Sequence, residues 1–367
     1  MTTRLNRRQI LAGAMVAPWL RSQTSGAEPS PRPELQPKPT LDLHIHLFGI
    51  GGGQSGCRLA KTITEGVVFK ALVAKLESLL AKLPSRGPRE SLDAAYVLLL
   101  ADQLRQSGLA KGVILAQDAV YHRNGKADWD RTSFYIPNDY LFKVVGRYPE
   151  RMIPCVSINP DRADAMEELE RCVERGARIL KIHPPTQAVD VADRKHAPFF
   201  RRCAERKVIV MVHTGHEHSA PVADVALADP ARLQLPLDQG CTVVACHCGT
   251  GWPTDKPDML PTFLKMLDKH ANLWGDTSVL GTAGRVPDVA RLLEHKAALA
   301  RLLHGSDFPF PCQPWAFAPI VGLKGWKELQ RVQHLANLLG QDLALKDLLG
   351  IGRSCAERAY RLVCGGA

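Results

Sequence analysis

Between residues 41 and 309 the chain repeats one pattern eight times, a short apolar run followed by a stretch with helical spacing. The runs fall at 41–46, 111–117, 152–160, 177–185, 208–215, 242–249, 272–278 and 302–309. Strands that alternate with helices require a parallel sheet, because a parallel partner is reached only through a crossover. Runs that are apolar almost throughout suit strands covered on both faces. Eight such units are the content of an α/β fold of the (β/α)8 TIM-barrel type, commonly about 250 residues long. An open doubly wound sheet would need a Gly-rich phosphate turn leading into a helix behind its first strand. Gly49, Gly51 and Gly53 have no helix in that register, so one barrel domain over residues 41–367 is expected. Helices are expected at 63–83, 90–106 and 163–175, the last capped by Asp161, and further helices at 326–339 and 354–363 close the chain.

The segment before the barrel has a different character. Arg7 and Arg8 precede a weakly apolar stretch ending near Leu20, and Ser25-Gly26-Ala27 offers a small-residue cleavage site. Asn6-Arg7-Arg8-Gln9-Ile10-Leu11 resembles a twin-arginine signal, which implies export, to the periplasm, of an already folded protein. Residues 28–40 are Pro-rich and polar, a linker rather than a packed element. Four of the excess positive charges are arginines before Glu28, so the formal +10 falls to about +6 beyond that point. No basic run is interleaved with aromatics, which argues against nucleic acid as a partner, and no apolar stretch reaches the roughly 20 residues of a membrane span. The ten cysteines show no compact disulfide spacing, and Cys155, Cys241 and Cys246 sit in apolar runs as buried thiols would. Cys246-His247-Cys248 is read the same way rather than as a zinc motif.

A TIM barrel carries its chemistry at the C-terminal ends of its strands. Those ends hold His44 and His46, then Lys181 and His183, then His213, His247 and Asp307. On the first strand, period-two alternation sends Asp42, His44 and His46 to one side and Leu41, Leu43 and Ile45 to the other. Imidazoles two residues apart can reach one metal ion from the same side. Neutral imidazoles with a carboxylate suit Zn2+, with Mn2+, Fe2+ or Co2+ as further candidates. His216, Glu217 and His218 add candidate ligands just past the fifth strand, but on a loop rim or solvated positions are expected. Asp276 and His304 are expected to support the site rather than form it.

D-x-H-x-H at 42–46, K-I-H-P at 181–184, V-H-T-G at 212–215, H-x-G at 247–249 and G-S-D-F-P at 305–309 occur in this order. The set resembles the amidohydrolase superfamily, and within it the branch that includes aromatic-acid and aminocarboxymuconate-semialdehyde decarboxylases. That resemblance implies one divalent metal, usually zinc, held by His44, His46, His213 and Asp307, with His247 as acid/base or substrate-orienting residue. Asp307 would also take a proton from the water that the metal activates. Lys181 matches a lysine that bridges two metals in binuclear members, but its K-I-H-P context is similar to the mononuclear branch, where it offers a cation to an acidic substrate. The resemblance weakens at Gly352-Arg353-Ser354-Cys355-Ala356, where the family often has an Asn-Ala pair.

The expected activity is therefore metal-dependent hydrolysis of an amide, lactone or ester in a small, carboxylate-bearing molecule. The alternatives are non-oxidative decarboxylation of an aromatic or enol acid and, outside catalysis, an exported binding protein that has lost turnover. Loops at 47–62, 118–136 and 216–241 would shape the pocket, with Arg58, Arg123 and Arg131 as candidate carboxylate partners or plain solvated charges. A homo-oligomer is compatible with the sequence, which does not specify one.

Overall fold

A computed structural model describes residues 39–81 and 91–365, so the expected export signal and nearly all of the linker lie outside the described residues. Eight strands form one sheet: β1 (Leu41–His46), β2 (Lys111–Leu115), β3 (Met152–Ser157), β4 (Ile179–Ile182), β5 (Ile209–His213), β6 (Val243–Cys246), β7 (Leu273–Asp276) and β8 (Leu302–Leu303). They pair in parallel and in chain order. The segment after β8 returns to β1, where Leu43 N donates to His304 O at 2.8 Å, Asp307 N to His44 O at 2.9 Å and His46 N to Phe308 O at 2.8 Å. Those bonds close the barrel. No helix among the described residues is long and apolar enough to cross a membrane.

Two apolar layers hold it together. The inner one stacks Leu41, Leu43, Val113, Leu115, Met211 and Leu303 inside the barrel. The outer one packs Ile45, Ile114, Leu180, Val212 and Ala245 against the surrounding helices. Parity along β4 and β5 is regular, so Ile179 and Met211 in the inner layer lead two residues on to Lys181 and His213.

β1 departs from that regularity. Asp42 pairs with Gly112 but Ile45 pairs with Ile114, so one extra residue bulges between them. A bulge advances the side-chain phase by one position and re-aims the remainder of the strand. Leu41 and Leu43 therefore face inward while Ile45 faces the helices. The expectation that Asp42 shares a face with His44 and His46 is corrected here. Asp42 is tied to its own strand and to Ser306 by accepting from His44 N and Ser306 N, both at 3.0 Å, and its free oxygen lies 3.8 Å from His304 Nε2.

Several helices differ from expectation in their limits. Gly66 divides the first into Lys61–Thr64 and Val67–Leu80. Ser91 caps Leu92–Gln106 by accepting from Ala94 N at 3.2 Å. Ala165–Glu174 starts beyond Asp161, which does not cap it; the Asp161 carboxylate instead meets Lys195 Nζ at 2.7 Å. The single helix expected at 326–339 is two helices, Ala318–Gln333 and Leu338–Leu348, the second capped by the Asn337 side chain on Gly340 N. Arg353–Cys364 ends the described chain and packs against β1 and β8. All ten cysteines are free, and all but Cys364 are buried.

Candidate metal centre

The rim at the C-terminal ends of the strands gathers most of the residues singled out in the sequence. His44 Nε2 lies 3.0 Å and His46 Nε2 3.3 Å from the same atom, Asp307 Oδ1. His44 and Asp307 are buried, and His46 keeps a little exposure toward a cleft. Tyr96 Oη donates to the His46 carbonyl at 2.6 Å and fixes the end of β1. Asp307 holds a left-handed φ of 67°, a costly conformation for a residue with a Cβ and one that recurs at functional positions. Close approach makes Gly305 necessary two residues earlier, since a Cβ there would lie 2.7 Å from His44 Cβ.

Asp276 organises this rim from behind. Its Oδ2 accepts from His44 Nδ1 at 2.8 Å, and its Oδ1 accepts from His247 N at 2.8 Å and from the Ser278 hydroxyl. His247 Nδ1 meets that hydroxyl at 2.8 Å, giving a relay from imidazole through Ser278 to Asp276. His247 does not sit on β6 as expected but in the turn His247–Gly249, at a φ of 63°. That conformation brings the ring to the rim although the preceding Cys246 already faces the interior.

Electrostatics keep His44 and His247 neutral. Burial, reinforced by the Lys181 ammonium, pushes His44 down to about 3, and burial pushes His247 down to about 4. Burial acts to raise Asp307 and Asp276, but the histidines around them hold both well below the usual carboxylate range.

These groups fit a divalent metal. With Nδ1 donating to Asp276, His44 Nε2 carries a lone pair, and it faces a carboxylate oxygen that has no hydrogen-bond partner. Two acceptors 3.0 Å apart repel each other unless a proton or a cation lies between them. Donors around tetrahedral zinc stand roughly 3.3 Å apart, given bonds of about 2.0–2.1 Å. The observed spacings of 3.0 and 3.3 Å are close to that.

His213 groups differently. Its ring stacks on His183 at 3.9 Å, its ligand atoms fall with those of His183 and Glu217, and neither of its nitrogens has a hydrogen-bond partner. Glu217, expected to be a rim or solvated residue, turns inward instead, and its Oε2 lies 3.1 Å from His183 Nε2. His216 is buried and meets the Pro257 carbonyl, whereas His218 is exposed and pairs with Asp255. Lys181 Nζ stands 3.5 Å from His44 Nε2, behind the rim and fully buried. Arg285, which nothing in the sequence singled out, is buried with Nη1 unpartnered and within electrostatic reach of Glu217 and Asp307.

A cleft of about 840 Å³, its open mouth included, opens onto the rim. His46, His183, Glu217, His247 and Asp307 form its polar end, and Phe48, Phe69, Phe134 and Phe310 its walls. All three loops expected to shape the pocket contribute, through Phe48 and Leu59, through Phe134 and Ile136, and through Glu217 and Ser219. Of the loop arginines, Arg58 lies over the Trp129 ring at 4.1 Å, and Arg131 pairs with Asp128 at 3.7 Å.

A family model described as Amidohydrolase matches residues 42–362. Among solved structures, an uncharacterized TIM-barrel protein from Bordetella bronchiseptica matches with a TM-score of 0.51 and 17% identity, covering 80% of this chain and 98% of its own. A probable 2-pyrone-4,6-dicarboxylic acid hydrolase from Acinetobacter baumannii has a TM-score of 0.45 and 16% identity, covering 85% of this chain and 100% of its own. A 2,6-dihydroxybenzoate decarboxylase from Rhizobium gives 0.48 and 16%, covering 88% of this chain and 98% of its own. At these identities the likeness bears on the fold alone, and the first match is the one that speaks for the barrel. No curated protein matches the chain.

Proposed function

The chain belongs to the amidohydrolase family, and from that membership we propose that it is a metal-dependent hydrolase of a small acidic amide, lactone or ester. The observation that carries the proposal is the convergence of His44 Nε2 and His46 Nε2 on Asp307 Oδ1 at the polar end of the cleft. His44, His46 and Asp307 would hold the metal, with Zn2+ and Mn2+ both suited to the donors and His213 the residue that the family resemblance adds. A divalent ion there supplies the polarisation that brings a water's pKa toward neutrality.

The chain's own residues supply the rest. The Asp307 carboxylate accepts the proton of the attacking water. His247 is anchored through Nδ1 to Ser278, which leaves Nε2 free to take up the proton that Asp307 accepts and then to pass it to the leaving group. The Lys181 ammonium and the Arg285 guanidinium add a positive field that favours an anionic substrate. The four phenylalanines of the walls exclude water and hold an apolar body. In the same reading, residues 1–27 direct the folded enzyme out of the cytoplasm.

One observation favours the second reading, decarboxylation of an aromatic acid: four phenylalanine rings beside a metal-binding rim suit a planar substrate. Two panels separate them. Proton release from lactones and amides is expected, against carbon dioxide release from hydroxybenzoates. Turnover that survives complete chelation of metal would sink both.

A further inference from the structure

The segment after β8 carries Asp307 to the rim, and its backbone is gripped from two sides. β1 supplies one grip: His44 O accepts from Asp307 N at 2.9 Å, and Asp42 Oδ1 accepts from Ser306 N at 3.0 Å. The other comes from outside the barrel. Lys346, on the helix Leu338–Leu348, is fully buried, and its Nζ donates to Gly305 O and to Asp342 Oδ2, both at 2.6 Å. Thr277 Oγ1 reaches the same carbonyl from 3.4 Å, a weaker contact.

The Gly305 carbonyl and the Ser306 N–H belong to one planar peptide. Lys346 holds one edge of that plane and Asp42 the other, so the plane cannot rotate without breaking one of the two bonds. One residue on, Asp307 keeps its left-handed φ of 67°, and such a conformation persists only where its surroundings over-determine it.

Stability alone does not account for the lysine. An ion pair sealed from water loses in desolvation about as much as it gains in attraction, and apolar side chains of similar volume often serve the fold as well. Lys346 and Asp342 are four residues apart on one helix, so their pairing aims the ammonium from within the helix. Its second hydrogen bond falls on the backbone two residues before Asp307.

We propose that Lys346 is a positioning residue for the metal: by holding Gly305 O it fixes the segment that presents Asp307 to His44 and His46. The inference rests on the metal reading of those three residues. It brings into the site a pair on the Leu338–Leu348 helix, neither member of which lines the cleft.

The test compares three variants of the intact chain. Zn2+ affinity is measured by competition with a chromophoric chelator, and the visible absorption of Co2+-loaded protein reports donor geometry. Lys346→Met strands a buried carboxylate, so it should lose stability as well as affinity. The double variant Lys346→Met/Asp342→Leu leaves no buried charge unpaired and should fold, yet bind Zn2+ about 10–100-fold more weakly than wild type with an altered Co2+ spectrum. Asp342→Asn keeps the lysine on Gly305 O and should bind with near wild-type affinity. A folded double variant with wild-type affinity and spectrum overturns the inference and leaves the proposed function standing. An Asp342→Asn variant as weak as Lys346→Met also overturns it, because the pair and not the grip on Gly305 would then matter. Failure of the double variant to fold overturns it too, by making the pair a requirement of the fold. A wild-type chain that binds neither ion overturns the proposed function itself, and this inference with it.

Discussion

His44 Nδ1 lies 2.8 Å from Asp276 Oδ2, and that bond decides which nitrogen of His44 is left to face Asp307. An ionised Asp276 accepts only, so it holds the proton on Nδ1 and keeps Nε2 as a bare donor toward the metal position. Asp276→Asn offers an amide that cannot hold the tautomer as firmly, and it also disturbs the relay through Ser278 to His247. Metal affinity is expected to fall by about 10–100-fold, the usual effect of removing such a partner. Competition with a chelator of known affinity measures it, and an unchanged dissociation constant would refute the assignment.

Asp307→Asn goes further because it removes the one atom shared by His44 and His46. A neutral amide oxygen is a poor substitute for a carboxylate next to a divalent ion. Loss of the metal at that position and of turnover together is expected. Full turnover with that metal position empty would contradict the assignment.

The regular parts of this architecture were readable from the residues. Period-two counting worked on β4 and β5, where Ile179 and Met211 point inward and lead in step to Lys181 and His213. It failed on β1, because the bulge between Asp42 and Ile45 leaves no mark in a run as short as Leu41–His46. It failed again at His247, where the chain leaves the strand and a left-handed residue re-aims the ring. Glu217 reads in the sequence as a rim or solvated residue for a different reason. It sits in a loop, and its inward turn depends on Ser219 and Ala220 capturing one carboxylate oxygen, which no periodicity encodes. Helix limits slipped where caps decided them, as at Asn337.

His247→Asn should separate binding from catalysis. His247 lies against His44 with ring centres 5.1 Å apart, yet its Nδ1 is engaged by Ser278 rather than by Asp307. The metal content expected is that of wild type, with kcat reduced by about 10²–10⁴-fold, the range for a lost acid/base group. Elemental analysis beside steady-state rates makes the comparison, and a variant that loses its metal would move His247 into the ligand set.

Gly305→Ala tests how tightly the rim is packed. The added methyl would meet His44 Cβ at 2.7 Å and Ser278 Cβ at 3.3 Å, so either β1 or the segment after β8 must shift. Overpacking of this kind costs about 1–3 kcal/mol of stability. Because the shift falls on a metal ligand, affinity for the ion should drop as well. A thermal melt and a metal titration on the same preparation report the two effects. Loss of stability with unaltered metal binding would place the relaxation away from His44.

His304 gives the pH dependence of stability a named source. Its ring is fully buried, neither nitrogen has a hydrogen-bond partner, and the nearest carboxyl, Asp42, is 3.8 Å away. Burial pushes Asp42 up to about 7, so in mild acid that carboxyl is largely uncharged and does little for an imidazolium. Burial, aided by Lys346 on the Leu338–Leu348 helix, holds His304 well below its ordinary value, while Asp276 on β7 opposes this only in part. The unfolded chain therefore binds the His304 proton first, from near the ordinary histidine value of 6.5 downward. Where the unfolded state holds more protons, stability falls as the pH is lowered, by up to about 1.4 kcal/mol per pH unit for one group. His304→Asn removes that contribution. The variant is expected to be less stable than wild type at pH 8, because a ring is replaced by a smaller side chain, but to lose stability more slowly between about pH 6.5 and 5. Urea unfolding of metal-free protein across that range compares the slopes without interference from ion release. Parallel slopes would show that His304 titrates alike in both states and is not held neutral by its surroundings.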